Sequence, residues 1–329
     1  MAKSLPIKWS ASRANLLSAC ARRYALQYVL GKEEESEHYD RPSKLVIDQG
    51  RWRPPRDLMV LTTKDVLRQR LIEAAGGVLW SHDAMEATLE RKLKQRIAEQ
   101  RGQQEHLARR MGWDKIPQRR LSKAKLTELV NDGMERLVAA ETHPLLCRIL
   151  KGARDTEWLV PNSLQTVDVD GNKIYAAPDL IIREGRKWRL VRFSGDIFWP
   201  KPSALRRVEL NAMILWAQES EGLPNSPRKY KISRLGWNDG HWVLWSQQGS
   251  VKAHNEVKKL IANDVASMRQ VSRTMGPARD VDKLAYAQQM WRCRKCPYRW
   301  TCQGASNPIR ARLEQEAVEV ENSRSQLTE

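Results

Sequence analysis

Two observations predict a mixed fold of the α/β or α+β type. Apolar residues recur at helical spacing through much of the first 150 residues, whereas from Thr156 onward short β-rich runs alternate with turn residues. Further helices are interleaved with the later strands, and no internal repeat is present. This order of elements is typical of an α/β domain with a helical insertion in its N-terminal part.

The predicted helices combine an amphipathic pattern with capping residues. Ser10 or Ser12 can cap the first helix, and Gly31 can end it. Residues 32–55 are interpreted as a connector, and residues 108–120 as a basic loop that either grips phosphates or is simply solvated. The predicted helices are Ser10 to Leu30, a segment from Thr62 that Gly76 interrupts, Asp83 to Glu105, Ser122 to Ala140, Ser203 to Glu221, Val251 to Thr274 and Asp282 to Trp291.

The predicted strands are short and lie between turn residues. Asp170-Gly171-Asn172 is a strong hairpin turn, and the polar segment Glu184 to Lys187 separates the two strands of another hairpin. The predicted strands are Glu157 to Val160, Thr166 to Val169, Lys173 to Ala176, Asp179 to Arg183, Trp188 to Phe193, Tyr230 to Trp237 and His241 to Ser246.

The charge of the chain predicts a polyanionic partner. Its 57 Lys and Arg residues exceed its 39 Asp and Glu residues and give a formal net charge of +18. This excess favours DNA or RNA as partner, although a solvated basic surface or docking to an acidic protein would also explain it. No run of about 18 apolar residues exists and the N-terminus lacks an apolar signal core, so we expect a cytoplasmic, reduced protein without membrane association.

Three of the five cysteines lie close together in the sequence, as Cys293-x2-Cys296-x5-Cys302. In a reduced compartment such spacing favours metal binding over disulfide formation. A tetrahedral zinc site or an iron–sulfur cluster requires four ligands, so Cys20 or Cys147 would supply the fourth. Cys20 has polar neighbours, whereas Cys147 lies among apolar residues and is interpreted as a small buried side chain.

These features make the sequence resemble the iron–sulfur nucleases of the PD-(D/E)XK superfamily, which include RecB-like nucleases of the AddB type and CRISPR adaptation nucleases. The resemblance rests on Ser-x-Ser at residues 10–12, Cys-x-Arg-Arg-Tyr at residues 20–24 and the C-terminal cysteine spacing. The chain departs from the family at Ala21, where a proline is common. The resemblance implies a [4Fe–4S] cluster that joins the chain ends, with zinc as the alternative, and the ligands Cys20, Cys293, Cys296 and Cys302.

The resemblance also divides the chain into five segments. They are an N-terminal helix with the first cluster cysteine (residues 1–31), a mainly helical insertion (32–150), a degenerate nuclease core (151–280), a C-terminal iron–sulfur segment (281–307) and a charged tail (308–329).

The family's catalytic centre is only partly preserved. Hydrolysis of a phosphodiester needs carboxylates that hold Mg²⁺ and a lysine near the attacking water. Asp179, which follows Pro178, matches the aspartate of the first strand, and Glu157 is a candidate for an earlier acid. On the next strand, however, the (D/E)-x-K position reads Arg192-Phe193-Ser194.

These substitutions predict that catalysis is lost and that no catalytic Mg²⁺ binds. An arginine in place of a metal-binding carboxylate changes the local charge by about two units, so Arg192 is expected to pair with Asp179 instead. The family's His position falls near Trp80 or His82, and its Gln-x3-Tyr position ends at Trp216. The vestigial centre would consist of Glu157, Asp179, Arg192 and Ser194.

A nuclease fold without its metal can retain a groove for nucleic acid. Trp113 or Trp199 could stack on unpaired bases, although most tryptophans are core residues. Basic residues in residues 109–120 are further candidates, and for each single arginine a solvated surface is the alternative. The candidate contacts are Arg183, Arg186, Lys187, Arg189, Arg192, Lys201, Arg206 and Arg207, with Arg109, Arg110, Arg119 and Arg120 as additions.

The sequence therefore predicts a nucleic-acid-binding iron–sulfur protein with an inactive nuclease fold. The resemblance implies a role in DNA recombination or repair, CRISPR or phage-defence complexes, together with protein partners. One alternative is an active metal-dependent nuclease whose catalytic residues have migrated, and another is a structural subunit of a phage or mobile-element assembly. No Walker A loop, GxGxxG, HExxH or GxSxG motif is present.

Overall fold

A computed structural model describes residues 7–30, 53–111, 121–153, 156–197, 199, 201–277, 279–294, 296–298 and 302. The charged tail and most of the predicted connector lie outside these residues. The chain forms two compact units. One consists of the described residues of Met1–Ala11, Arg53–Ala98 and Arg120–Val265, and the other of those of Ser12–Trp52, Glu99–Arg119 and Ala266–Glu329.

Serine residues cap two of the helices, as the sequence predicts. Ser122 Oγ accepts a hydrogen bond from the Lys125 N–H, and Ser203 Oγ accepts one from the Arg206 N–H. The described α-helices are α1 (Ala11–Ala19), α2 (Ala21–Tyr24), α3 (Pro55–Ala75), α4 (His82–Met111), α5 (Lys123–Thr142), α6 (Cys147–Leu150), α7 (Ala204–Gln218), α8 (Val251–Met275) and α9 (Met290–Arg294). A π-helical turn covers Ala25–Val29, and 3₁₀ turns cover Pro227–Lys229 and Val281–Lys283.

The N-terminal helical segment is interrupted, whereas the sequence pattern predicts one continuous helix from Ser10 to Leu30. The backbone of Cys20 is extended, with φ −168° and ψ 113°, so α1 ends and α2 begins there. Cys20 Sγ accepts a hydrogen bond from the Arg23 N–H and thereby caps α2. The interruption arises because this cysteine takes the role of an N-cap residue.

A five-stranded sheet forms the centre of the first unit, with the strand order β2-β5-β6-β7-β8. Neighbouring strands are antiparallel except β6 and β7, which are parallel, and α7 makes the crossover connection between them. The strands of this sheet are β2 (Trp158–Leu159), β5 (Leu180–Glu184), β6 (Lys187–Asp196), β7 (Tyr230–Asn238) and β8 (His241–Gln248).

A second, three-stranded sheet has the order β1-β4-β3 and consists of Lys8–Trp9, Asn172–Ile174 and Val167–Val169. The first strand pairs with β4 in parallel. Trp9 is fully buried, and its indole N–H donates to Asp264 Oδ2 at 2.9 Å. The sequence pattern did not predict this strand, because two residues are too few for a periodicity.

The core of the first unit lies between the sheet and helices α3 and α5. Leu67 and Leu71 on α3, Leu137 on α5, and Leu180 and Val191 on the sheet are all completely buried. The helical residues recur at the spacing of one helix face, and the strand residues point to one face of the sheet. Apolar burial thus fixes α3 against β5 and β6, which positions the polar residues of α3 near the ends of these strands.

The predicted mixed α/β fold is confirmed, as is the hairpin between β5 and β6. Asp170 and Gly171, and likewise Asp239 and Gly240, have positive φ values between 44° and 81°, as tight hairpin turns require. Among the described helices, none combines the length and the apolar character that a membrane span requires.

Candidate nucleic-acid site and cysteine group

The carboxylate of Asp179 has several charged and polar partners in the first unit. Its side chain is 1% exposed. Oδ2 accepts hydrogen bonds from the Phe193 N–H at 2.8 Å and lies 2.9 Å from Lys64 Nζ. Oδ1 lies 3.0 Å from Arg68 Nη1, and Arg192 Nη1 is 3.5 Å from Oδ2. Three cations therefore surround one buried carboxylate.

Helix α3 supplies two of these cations because Lys64 and Arg68 are four residues apart and thus share one face of the helix. Both side chains also reach backbone carbonyls. Lys64 Nζ lies 3.4 Å from the Phe193 oxygen, and Arg68 Nη2 donates to the Pro161 oxygen at 2.6 Å. The two residues thereby connect α3 to the strand ends around Asp179.

The cations decide the protonation state of this carboxyl group. Burial alone would raise the pKa of Asp179, but the positive charges of Arg192, Lys64 and Arg68 outweigh it and hold the pKa below its ordinary value. Asp179 is therefore ionised at neutral pH. A Mg²⁺ ion needs near-octahedral oxygen ligands at about 2.0–2.1 Å and would have to displace these cations. The residues present do not fit a catalytic magnesium site.

Arg192 also belongs to a wider group of charges on the sheet. Its Nε lies 3.5 Å from Glu209 Oε1, and Arg206 Nη1 lies 2.6 Å from the other oxygen of Glu209. On the neighbouring strand, Arg234 Nε donates to Ser194 Oγ at 3.1 Å. The expected pairing of Arg192 with Asp179 is present, and Ser194 serves as an acceptor for an arginine.

The other predicted vestigial residues lie apart from this group. Glu157 forms an ion pair with Arg183 at 2.7 Å, and both side chains are more than half exposed. Trp80, near the family's His position, donates its indole N–H to Glu73. Trp216, at the Gln-x3-Tyr position, is buried and donates to the Gln165 oxygen at 3.1 Å. Glu157 therefore does not join Asp179 in a shared site.

The predicted nucleic-acid contacts differ in how exposed they are and in whether they already have partners within the protein. Arg189 is buried, pairs with Glu184 and donates to Ser233 and Ser246, so it has a structural role. Lys187 donates to Gln248 at 3.0 Å. Three further candidates are exposed side chains without an ion-pair partner among the described residues, namely Arg186, Lys201 and Arg207.

Of the residues proposed as further contacts, Trp199 is 78% exposed, and its carbonyl oxygen lies 3.4 Å from Arg234 Nη1. Arg109 Nε donates to the Glu105 oxygen at 3.4 Å on α4. Trp113, Arg119 and Arg120 lie outside the described residues.

Sequence analysis missed Lys64, Arg68, Glu209 and Arg234 as members of this group. Lys64 and Arg68 are separated from Asp179 by more than one hundred residues, and the sequence contains no signal of that contact. Their position beside the apolar stripe of Leu67 and Leu71 was the available hint, since such residues lie at the margin of a buried helix face.

Four cysteines belong to the second unit, namely Cys20, Cys293, Cys296 and Cys302. Burial raises the pKa of the Cys293 thiol, and the Cys20 and Cys302 thiols raise it further. Burial likewise raises the pKa of the Cys296 thiol. The Tyr298 backbone and Arg23 lower this pKa, whereas the Cys20 and Cys302 thiols raise it. All are reduced, partly exposed thiols. Cys147 belongs to the other unit, where its thiol lies 3.7 Å from the Pro144 oxygen.

Contacts outside the cysteines also join the two sequence segments that carry them. Arg22 is buried and donates to the Leu284 oxygen at 2.7 Å and to Asp282 Oδ1 at 2.9 Å. Its guanidinium carbon lies 3.7 Å from the centre of the Tyr286 ring. Tyr298 and Leu26 form a small buried cluster, against which Cys296 packs. Residues 20–30 and 281–298 are thus held together by packing and hydrogen bonds.

As placed in the described residues, the thiols of Cys20, Cys293, Cys296 and Cys302 do not form a coordination site. Within the described part of the chain, no group of three or more histidine, cysteine or carboxylate side chains is arranged to hold a metal ion directly. The donor set itself fits an iron–sulfur cluster, which takes four cysteine thiolates. Zinc takes the same four ligands.

The comparisons with known proteins do not assign a family. No protein-family model and no curated protein matches the chain. One solved structure, described as "Crystal structure of SSO0001", is 15% identical, covers 62% of this chain and 81% of its own, and has a TM-score of 0.30. This similarity is too low to support a fold or a function.

Proposed function

We propose that the protein binds nucleic acid through a PD-(D/E)XK-type domain that has lost metal-dependent nuclease activity. The observation that carries this proposal is the buried Asp179 carboxylate, which is engaged by Lys64, Arg68 and Arg192. In the family such an aspartate holds a divalent cation. Here protein cations occupy its surroundings, while the basic charge of the chain is retained.

The order of elements supports the proposal. The family motif requires an aspartate on one strand, the (D/E)-x-K sequence on the next strand and a helix after it. In this chain Asp179 directly precedes β5, Arg192 and Ser194 belong to β6, and α7 follows. The parallel strand β7 completes the crossover. The sequence positions compared with the family therefore belong to elements of the expected type.

An iron–sulfur cluster is the second part of the proposal. Cys20, Cys293, Cys296 and Cys302 would hold it, and when bound it would act as a structural crosslink between distant segments of the chain. Arg22 and Tyr298 already hold these segments in contact. The role that we propose for the protein is in recombination, repair, CRISPR or phage-defence complexes, as the resemblance implies.

Nuclease assays test the loss of catalysis. The purified protein is incubated with single- and double-stranded DNA in the presence of Mg²⁺ or Mn²⁺, and a band-shift assay on the same sample measures binding. We expect retention of nucleic acid without cleavage. Cleavage that disappears in Asp179→Ala would overturn the proposal in favour of an active nuclease. Absence of any nucleic-acid binding would favour a structural subunit that docks protein.

A further inference from the structure

The charges around the vestigial centre are strongly unbalanced. Five cations form a basic cluster, and among the described residues two carboxylates, Asp179 and Glu209, pair with its members. The local excess of positive charge is therefore three. The basic cluster consists of Lys64, Arg68, Arg192, Arg206 and Arg234.

Repulsion between these cations destabilises the folded protein when no anionic ligand is bound. Arg192 and Arg234 are directly paired in the register of the parallel strands β6 and β7, so two like charges are neighbours on the sheet. Burial lowers the pKa of Arg234, and the positive charge of Arg206 lowers it further. Retention of repelling cations at one place is expected where an anion binds.

The backbone of an exposed tryptophan, Trp199, contacts the basic cluster. The Trp199 carbonyl accepts from Arg234 Nη1 at 3.4 Å, which ties the backbone of this residue to the cluster. Its side chain is nevertheless 78% exposed. An indole in water does not stabilise the fold, whereas an indole beside bound phosphates can stack on a nucleobase.

We propose that the basic cluster and Trp199 form a binding site for single-stranded nucleic acid, in which protein cations take the place of the metal. Arg206 and Arg234 contact a phosphate, and the adjoining base stacks on Trp199. A single strand is required because the bases of a duplex are stacked on each other and offer no free face to the indole. This inference rests on the proposed nucleic-acid binding and specifies its ligand and its residues.

Fluorescence anisotropy with labelled oligonucleotides tests the stacking. The probes are single-stranded DNA, single-stranded RNA, a DNA duplex and an abasic strand that keeps the phosphates but lacks bases. The wild-type protein should bind single-stranded DNA or RNA about tenfold more tightly than the abasic strand, because stacking contributes a factor of this order per base. Preference for one sugar distinguishes DNA from RNA.

Trp199→Ala should weaken binding of the ordinary single strand, which carries bases, about tenfold and leave binding of the abasic strand unchanged. Trp291→Ala is the matched control, since Trp291 is also exposed, at 59%, and belongs to the other unit. Arg206→Gln and Arg234→Gln should weaken binding of both strands, whereas Arg273→Gln, at an exposed position on α8 in the other unit, should have little effect.

The outcomes separate the two proposals. The single-strand site would be overturned if Trp199→Ala and Trp291→Ala lost the same affinity for the single strand, or if every variant bound it as tightly as the wild type. The proposal of nucleic-acid binding would survive either result. Tighter binding of the duplex than of the single strand would also overturn it. If the wild-type protein binds none of the probes, the proposed function itself is wrong.

Discussion

At the scale of single residues, Asp179 combines nearly complete burial with an unbroken set of partners. Both carboxylate oxygens are engaged by cations, and the Phe193 N–H adds a hydrogen bond. A buried charge is tolerated only where such partners compensate for lost hydration. The carboxylate is therefore necessary to the fold.

Asp179→Asn should destabilise the protein by about 3 kcal/mol, the lower part of the range for breaking a buried ion pair. The lower part applies because Lys64 keeps 30% of its side chain in contact with water. Urea unfolding measures the loss. Glu157→Gln, which removes an exposed ion pair, is the control and should cost less than about 1 kcal/mol. Similar losses in both variants would contradict this account of Asp179.

Acid should remove the same stabilisation. The pKa of folded Asp179 is lowered, so its contribution is complete above the pKa of an unfolded aspartate, about 4, and is lost as the pH falls through the folded-state value. We expect the free energy of unfolding of the wild type to fall more steeply below about pH 4 than that of Asp179→Asn. Urea titrations at successive pH values measure this, and parallel pH profiles would exclude it.

Sequence reasoning identified one side of this centre and missed the other. Arg192 and Asp179 lie on adjacent predicted strands, so their pairing followed from strand periodicity and opposite charge. Lys64 and Arg68 come from a helix that is more than one hundred residues earlier, and only tertiary packing brings them near. Glu157 was associated with Asp179 by analogy, but strand register pairs it with Arg183 instead.

At the scale of elements, local signals predicted the bounds of α5, α7 and α8 closely. They were wrong for α3, which begins at Pro55 and not near Thr62, and for residues 282–291, which do not form one continuous helix. The hairpin turns follow from Asp-Gly sequences, and α7 and α8 follow from serine capping or long amphipathic patterns. The division of the N-terminal helix at Cys20 could not be predicted, since its cause is a thiol that accepts the Arg23 N–H. The strand Lys8–Trp9 depends on pairing with residues 173–174, a contact that no local pattern encodes.

The cysteine segments lead to a prediction about the cofactor. Serine in place of any of Cys20, Cys293, Cys296 or Cys302 should give insoluble or colourless protein, because a crosslink that closes so long a loop contributes on the order of 4–5 kcal/mol. Visible absorption, iron and acid-labile sulfide are measured in the purified protein.

Cys147→Ser is the matched control for these variants, since Cys147 belongs to the other unit. It should retain colour, iron and solubility. A folded quadruple variant with unchanged stability would contradict the structural role of the cluster. If the purified protein contains zinc but neither iron nor sulfide, the four cysteines bind zinc and not an iron–sulfur cluster.

At the scale of the whole molecule, the net charge of +18 predicts salt-sensitive binding. If four phosphates of a single strand are contacted, affinity should fall about fiftyfold between 50 and 200 mM salt. Arg206→Gln should make the salt dependence shallower by roughly one phosphate contact. Anisotropy titrations at several salt concentrations measure this slope, and binding that is insensitive to salt would argue against phosphate contacts.

The long-range contacts of the early residues also affect how the chain folds during synthesis. Trp9 bonds to a residue 255 positions later, and Arg22 to one 260 positions later. At about 5–20 residues per second, a ribosome needs roughly 15 to 50 s to make the missing partners. Contacts between residues so far apart in sequence form slowly, because closing a long loop costs chain entropy. The contacts of Trp9 with Asp264 and of Arg22 with Asp282 can therefore form only after those later residues have been made, and until then the nascent chain needs protection from aggregation.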